Sequence, residues 1–165
     1  ADGNTGMRTL VLGVGNPLMS DDGVGLRVLE ALSGQQPALD DVDYLDAGTL
    51  SLLLLPRFEH CDALLVLDAA QLGGSPGDLC VLHGADMDAF FRNARGSVHE
   101  VGIRDLLDAA RLTGTLPSRR AFVGVQPQRV AIGSTLSPSL HASIAPATAH
   151  ARAILEAWRS DVRSD

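Results

Sequence analysis

The sequence predicts one α/β domain, a three-layer α/β/α sandwich around a mostly parallel twisted sheet, and three observations carry that expectation. Short apolar runs alternate with stretches of helical periodicity along most of the chain. Residues 8–14 and 63–67 are apolar on both faces, as strands covered by helices on both sides are. The chain has 165 residues, 45% of them hydrophobic and only 4% aromatic, so it is long enough for one sizeable core built from Leu, Val, Ile and Ala.

Residues 8–14 form the first strand, and Gly15-Asn16-Pro17 turns the chain. From about Asp21 to Leu32, Val24, Val28, Leu29 and Leu32 recur at helical spacing, with Gly34 as the stop. Residues 42–46 read as a second strand ending in Asp46-Ala47-Gly48-Thr49, and Leu50 to Arg57 as a short helix. Ala63 to Leu67 is the clearest buried strand and ends in Asp68. A Gly/Ser/Pro loop at 73–77 separates it from a strand at Leu79–Leu82, and Met87 to Phe91 reads as a helical turn. His99 opens a helix whose Val101, Ile103, Leu106, Leu107 and Ala110 line one side, stopped by Thr113-Gly114. Ala121 to Val125 is a further strand, which residues 129–133 extend or flank as an edge. A closing helix runs from about Ser137 or Ser139 to Trp158, with Pro146 as a point of kinking. No repeat or linker divides the chain. The domain is expected over residues 7–160, with residues 1–6 a tail or cloning remnant before Met7 and residues 161–165 a C-terminal tail.

A net charge of −7 disfavours nucleic acid as a partner. No run approaches the roughly 18 apolar residues of a membrane span. Cys61 and Cys80 alone do not make a disulfide scaffold or a Cys-rich zinc site. The start of the sequence does not read as a signal peptide, so a cytoplasmic location is expected.

The chemistry-bearing residues gather where strands end, which is where open α/β sheets bind ligands. Gly13-Val14-Gly15 after the first strand invites a dinucleotide-binding reading, but Leu18 stands where the third glycine belongs. Asp21 and Asp22 also occupy the helix mouth that a pyrophosphate would need; Asp46, an acid ending the second strand, is the one point in that reading's favour. The simplest role for the Asp pair is an N-cap plus a first-turn acid, and that role is compatible with one capping while the other points outward. Asp68 either emerges at the ligand edge or caps the following loop. Asp46 most simply caps the next helix. His99 at a helix start is held towards its neutral, ligating form, while His60, His83, His141 and His150 read as surface or packing residues. Asp22, Asp68 and His99 would together make a site of two carboxylates and one imidazole, suited to a divalent ion such as nickel or zinc.

Four blocks in order resemble the hydrogenase maturation endopeptidases: Val11 to Gly25 (Val-Leu-Gly-Val-Gly-Asn-Pro-Leu-Met-Ser-Asp-Asp-Gly-Val-Gly), Leu45-Asp-Ala-Gly-Thr49, Leu64-Leu-Val-Leu-Asp-Ala69, and Ser97-Val-His-Glu-Val-Gly102 with the helix after it. Phe122 to Pro127 adds to the likeness. The resemblance implies a peptidase that removes a C-terminal extension from the large-subunit precursor of a nickel–iron hydrogenase after nickel insertion. It implies metal ligation by Asp22, Asp68 and His99, with the nickel carried by the substrate. Many members have Glu at the position of Asp22, and many have Gly at that of Ala47, which would matter if that position required positive φ. Asp46 is the candidate base if the metal only docks the substrate; otherwise the metal itself activates water. The competing expectation is a non-catalytic metal- or nucleotide-binding assembly chaperone of the same fold.

Overall fold

The computed structural model describes residues 6–48, 52–94 and 97–164. Five strands, β1 (Thr9–Val14), β2 (Val42–Gly48), β3 (Ala63–Ala69), β4 (Leu79–His83) and β5 (Arg119–Val125), form one sheet in the order β2-β1-β3-β5-β4. All neighbours are parallel except β4, which runs antiparallel to β5. Four helices cover it: α1 (Val24–Ser33), α2 (Gly84–Asn93), α3 (Val98–Leu112) and α4 (Pro138–Ser164). The fold class is the one expected.

Burial follows from strand alternation. Residues 63, 65 and 67 of β3 join Val28, Leu32, Leu155 and Trp158 in the layer beneath α1 and α4. Leu64 and Val66 face the opposite layer, with Phe91, Ile103, Leu106 and Phe122 beneath α2 and α3. β3 is buried along its whole length, as its unbroken apolar run requires. Phe91 packs edge-on against Phe122 at 4.9 Å between centroids. Beside them Asp88 accepts a bidentate pair from Arg120 (2.9 and 2.8 Å) and a third bond from Arg111 (3.0 Å), which ties α2 and α3 to β5.

Four local expectations are revised. The turn at Met87–Phe91 is the middle of the ten-residue helix α2. The segment after β2 is a 3-10 helix, Leu52–His60, rather than one from Leu50, a residue that lies outside those described. Residues 129–133 make no strand; among the described residues a single parallel bridge, Met19 to Gly133, is their sheet-like pairing. The last helix passes through Pro146 and continues to Ser164, into residues expected to be a tail.

The chain runs from β1 to one side for β2 and then back to β3 on the other, so the winding reverses between β1 and β3. That is the switch point at which doubly wound sheets open a crevice. The glycines of the first block serve this packing. A Cβ on Gly25 would strike the carbonyl oxygens of Leu67 and Val14 at 2.4 and 2.5 Å, backbone that cannot yield, whereas the nearest atoms to one on Gly13 are those of the Leu29 side chain, at 2.8 Å. Gly25→Ala should therefore lower stability by about 2–4 kcal/mol, and Gly13→Ala by clearly less. Denaturant titration of the two variants side by side checks this ordering.

Candidate functional site

The crevice between β1 and β3 is built by the turn that follows β1. Gly15 has φ +138° and lies against the Asp22 carbonyl, where no side chain would fit. Asn16 then folds the turn twice: its side chain accepts from Leu18 N–H at 2.9 Å, and its own N–H donates to Asp22 Oδ2 at 2.9 Å. A 3-10 turn, Ser20–Gly23, leads directly into α1.

The Asp pair splits into two different roles, and neither side chain caps the helix. Asp21 has no exposed surface. Its carboxylate accepts from the N–H of Gln128 (3.0 Å), Arg129 (2.8 Å) and Ser137 (2.6 Å) and from the Ser137 hydroxyl (2.8 Å). Burial opposes its ionised form, but those four donors outweigh burial and hold the carboxyl below its ordinary 3.8. Asp22 instead turns towards α3.

There it meets His99. Ser97 caps α3 by accepting from Glu100 N–H at 3.3 Å, and the Ser97-x-x-Glu100 spacing is that of a capping box. This start places His99 in the first turn. His99 Nε2 lies 3.4 Å from Asp22 Oδ2, and Nδ1 lies 3.5 Å from Asp68 Oδ1. The three residues expected to converge do so, from positions 46 and 31 residues apart in the chain. Asp68 is 1% exposed and His99 8%. Burial pushes the Asp68 carboxyl up to about 7, against the lowering pull of the imidazole. The close Asp68 carboxylate raises His99 above 6.5 despite burial, helped by Asp22 and Glu100, so the acids hold the ring towards its charged form and not the neutral one expected from its place at a helix start.

Both Asp68 oxygens and His99 Nδ1 are buried without a hydrogen-bond partner, because 3.5 Å is an ion-pair distance and not a hydrogen bond. Such orphaned acceptors beside an imidazole have the chemistry of a cation site. The arrangement is a row, carboxylate–imidazole–carboxylate, in which each acid faces a different ring nitrogen. Accordingly no set of three His, Cys, Asp or Glu among the described residues is disposed around a single point as metal ligands. The donors fit a divalent ion in kind, and accepting one requires breaking a His99–Asp contact.

Asp46 is not brought to this cluster. β1 Gly13 is in register with both Asp46 and Leu67, so the Asp46 side chain shares Leu67's face, the α1 side, whereas Asp68 points to the α3 side. Its Oδ1 accepts from Gly48 N–H at 2.9 Å, a bond within the turn that ends β2 and not the cap of the next helix expected of it, and it is exposed. Positive φ falls on Gly48 and not on Ala47, so Ala47 is accommodated without strain. Thr49 lies outside the described residues. His60, His83, His141 and His150 are all exposed. Sequence reading missed the Asp21 clamp and a buried amide, Gln126, which accepts from Leu72 N–H at 2.6 Å and donates to Gln71 Oε1 at 2.9 Å. The partners of both lie 54 to 116 residues away, beyond any local motif.

Comparison with known proteins places this geometry in context. A family model for hydrogenase maturation proteases matches residues 26–154. The chain is 38% identical to the hydrogenase expression/formation protein HupD of Rhodobacter capsulatus over 156 residues, 94% of this chain and 74% of that protein. It is also 38% identical to the hydrogenase 2 maturation protease of Escherichia coli over 142 residues, 86% of each chain. The structure of the hydrogenase maturating endopeptidase HybD from E. coli superposes with a TM-score of 0.84 at 36% identity, covering 91% of this chain and 93% of that one.

Two stability outcomes follow from the opposite environments of the acids. Asp21→Ala should cost about 2–3 kcal/mol, since it removes the buried acceptor on which four part-buried donors converge. The Asp21 contribution is fully present above the ordinary carboxyl pKa of 3.8 and is lost as pH falls through its lower folded value. Asp68 has the opposite sign. Its folded pKa is raised, so the carboxylate destabilises increasingly from pH 3.8 to about 7 and fully above that. Asp68→Asn should therefore be more stable than wild type by about 2 kcal/mol at pH 8, with the advantage fading towards pH 4. Urea titrations across that range would contradict this if the difference were independent of pH.

Proposed function

The chain belongs to the hydrogenase maturation protease family, and from that premise we propose that it removes a C-terminal extension from a nickel–iron hydrogenase large-subunit precursor once nickel has been inserted. The observation that supports this reading is the buried Asp22–His99–Asp68 row, with three orphaned polar atoms at the sheet's switch point. Nickel here is part of the substrate. Two carboxylates and an imidazole, with no thiolate, supply only part of a transition-ion shell, so the remaining donors would be the precursor's own cysteines.

In the free enzyme the row is closed on itself, with His99 held towards its charged form by the acids. A divalent ion presented by the precursor competes with the His99 proton, because only the neutral imidazole donates a lone pair. The exchange replaces a weakly satisfied buried ion pair by coordination, which favours the nickel-loaded precursor over the empty one. Asp22, the most exposed of the three at 14%, is the face the ion would meet first. Asp46, on the other side of the sheet, takes no part in this recognition.

Incubation with nickel-loaded and metal-free precursor, read by intact-mass spectrometry, tests the proposal. The nickel-loaded form should lose the mass of its extension and the metal-free form should persist. His99→Ala should reduce processing at least about 100-fold at unchanged protein level. Efficient cutting of metal-free precursor in the presence of a chelator would refute recognition through nickel, and wild-type rates for His99→Ala would remove the cluster from the reaction.

A further inference from the structure

A second feature begins at the same edge of the sheet. A groove of about 920 Å³ runs beside β4 towards α2, floored by Leu72, Leu82, Ala89 and Phe90. Leu79 and Leu82 both line it although they belong to opposite layers of the core, so the groove wraps the outer edge of the strand. β4 is the last strand of the sheet, and among the described residues only β5 pairs with it. Its outward N–H and C=O groups are therefore a template for one more strand.

The groove also ends beside the acid–imidazole row, since its lining includes Glu100, the residue after His99. Leu79 and Ala69 both register with Val125, so the upper end of β4 lies two strand spacings, about 10 Å, from the end of β3. Gln71 and Glu100 form the wall between them. Glu100 accepts from Gln71 N–H at 3.3 Å, and Gln126 holds the Gln71–Leu72 turn from below. An extended chain crosses about 10 Å in three residues.

Charge narrows the occupant. The lining includes three acids, Asp78, Asp86 and Glu100, and no Lys or Arg. An apolar floor with acidic walls complements a peptide whose apolar side chains alternate with basic ones.

We propose that this groove binds an extended segment of the precursor, an apolar strand carrying basic residues, which adds to the free edge of β4 about three residues from the bond that is cut. The proposal rests on the processing reaction inferred above and adds the recognition of the peptide itself. In it Asp86 is a specificity residue and not a catalytic one.

Two measurements with the intact enzyme test it. In the first, a synthetic decapeptide alternating valine and arginine is titrated into labelled protein, with a valine–glutamate decapeptide as control. Backbone amide shifts should move along Leu79–His83 and at Phe90 with the basic peptide only. No shifts there, or equal shifts with the acidic peptide, overturn the proposal. In the second, nickel-loaded precursor is processed by Asp86→Lys, Asp86→Glu and Ala89→Trp. Asp86→Lys should raise KM about three- to tenfold with kcat retained, Asp86→Glu should behave as wild type, and Ala89→Trp should obstruct the groove and raise KM further. Unchanged KM in Asp86→Lys and Ala89→Trp overturns the groove while leaving the processing reaction intact. A wild type that does not process removes the reaction and with it the precursor as occupant, whatever the peptide titration shows. Dissociation of a wild-type dimer by Ala89→Trp in sedimentation would identify a second copy of the chain as the occupant and overturn the proposal.

Discussion

The Asp21 carboxylate is the constraint on which the candidate site depends. It joins the turn after β1 to the loop between β5 and α4 through four hydrogen bonds, all from donors more than 100 residues away. Ser20 reinforces the joint from a left-handed backbone conformation, φ +53°, with its hydroxyl donating to Ala131 O at 2.8 Å and its N–H to Gly133 O at 2.7 Å. A non-glycine residue holds that conformation only where the surroundings over-determine it. With Asp21 and Ser20 fixed, the next residue has little freedom, and Asp22 faces α3. The carboxylate that faces His99 is thus aimed by the one that does not.

The same physics assigns opposite costs to neighbouring acids. Asp21 is as buried as Asp68, yet its charge is met by donors and it stabilises. Asp68 is buried against an imidazole at ion-pair distance only, with both oxygens unpartnered, and its charge is disfavoured. A core strand with no function to serve would end in an apolar residue here, because β3 is buried at every position. The surrounding layers of Leu, Val, Phe and Ala supply the stability against which this defect is held. Unsatisfied buried groups at a sheet's switch point are what separate a ligand site from ordinary packing.

Much of this was legible in the sequence, and the parts that were not share a cause. The parallel sheet could be read because β1 and β3 are apolar on both faces, and α3 because Val101, Ile103, Leu106, Leu107 and Ala110 recur at helical spacing before Thr113-Gly114. Asp68 and His99 could be placed at the ligand edge because strand ends and helix starts are local signals. The Asp21–Asp22 pair does lie in a first turn, but Asp21 is no cap, and local spacing cannot show that Ser137 and Arg129 are its partners. Asp46 and Asp68 look equivalent as acids at strand ends. Register alone distinguishes them: Asp46 is level with Leu67, one residue short of Asp68, and one residue along a strand is the opposite face.

The antiparallel edge strand bears on the site through the same register argument. Were β4 parallel to its neighbours, its start would lie at the amino end of the sheet, and a chain laid along it would enter far from the switch point. Because β4 runs the other way, its first residue, Leu79, stands level with Ala69 at the carboxyl end, and the strand leads away from the acid–imidazole row. The loop that makes this reversal is fixed at both ends by side chains already committed to structure. Asp78 accepts from Ser75 N–H at 2.8 Å and Gln126 holds Leu72, so the link between row and groove is a built wall. One strand reversal thus places an unpaired sheet edge, an apolar groove and the buried acid–imidazole row within a few residues' reach of one extended peptide.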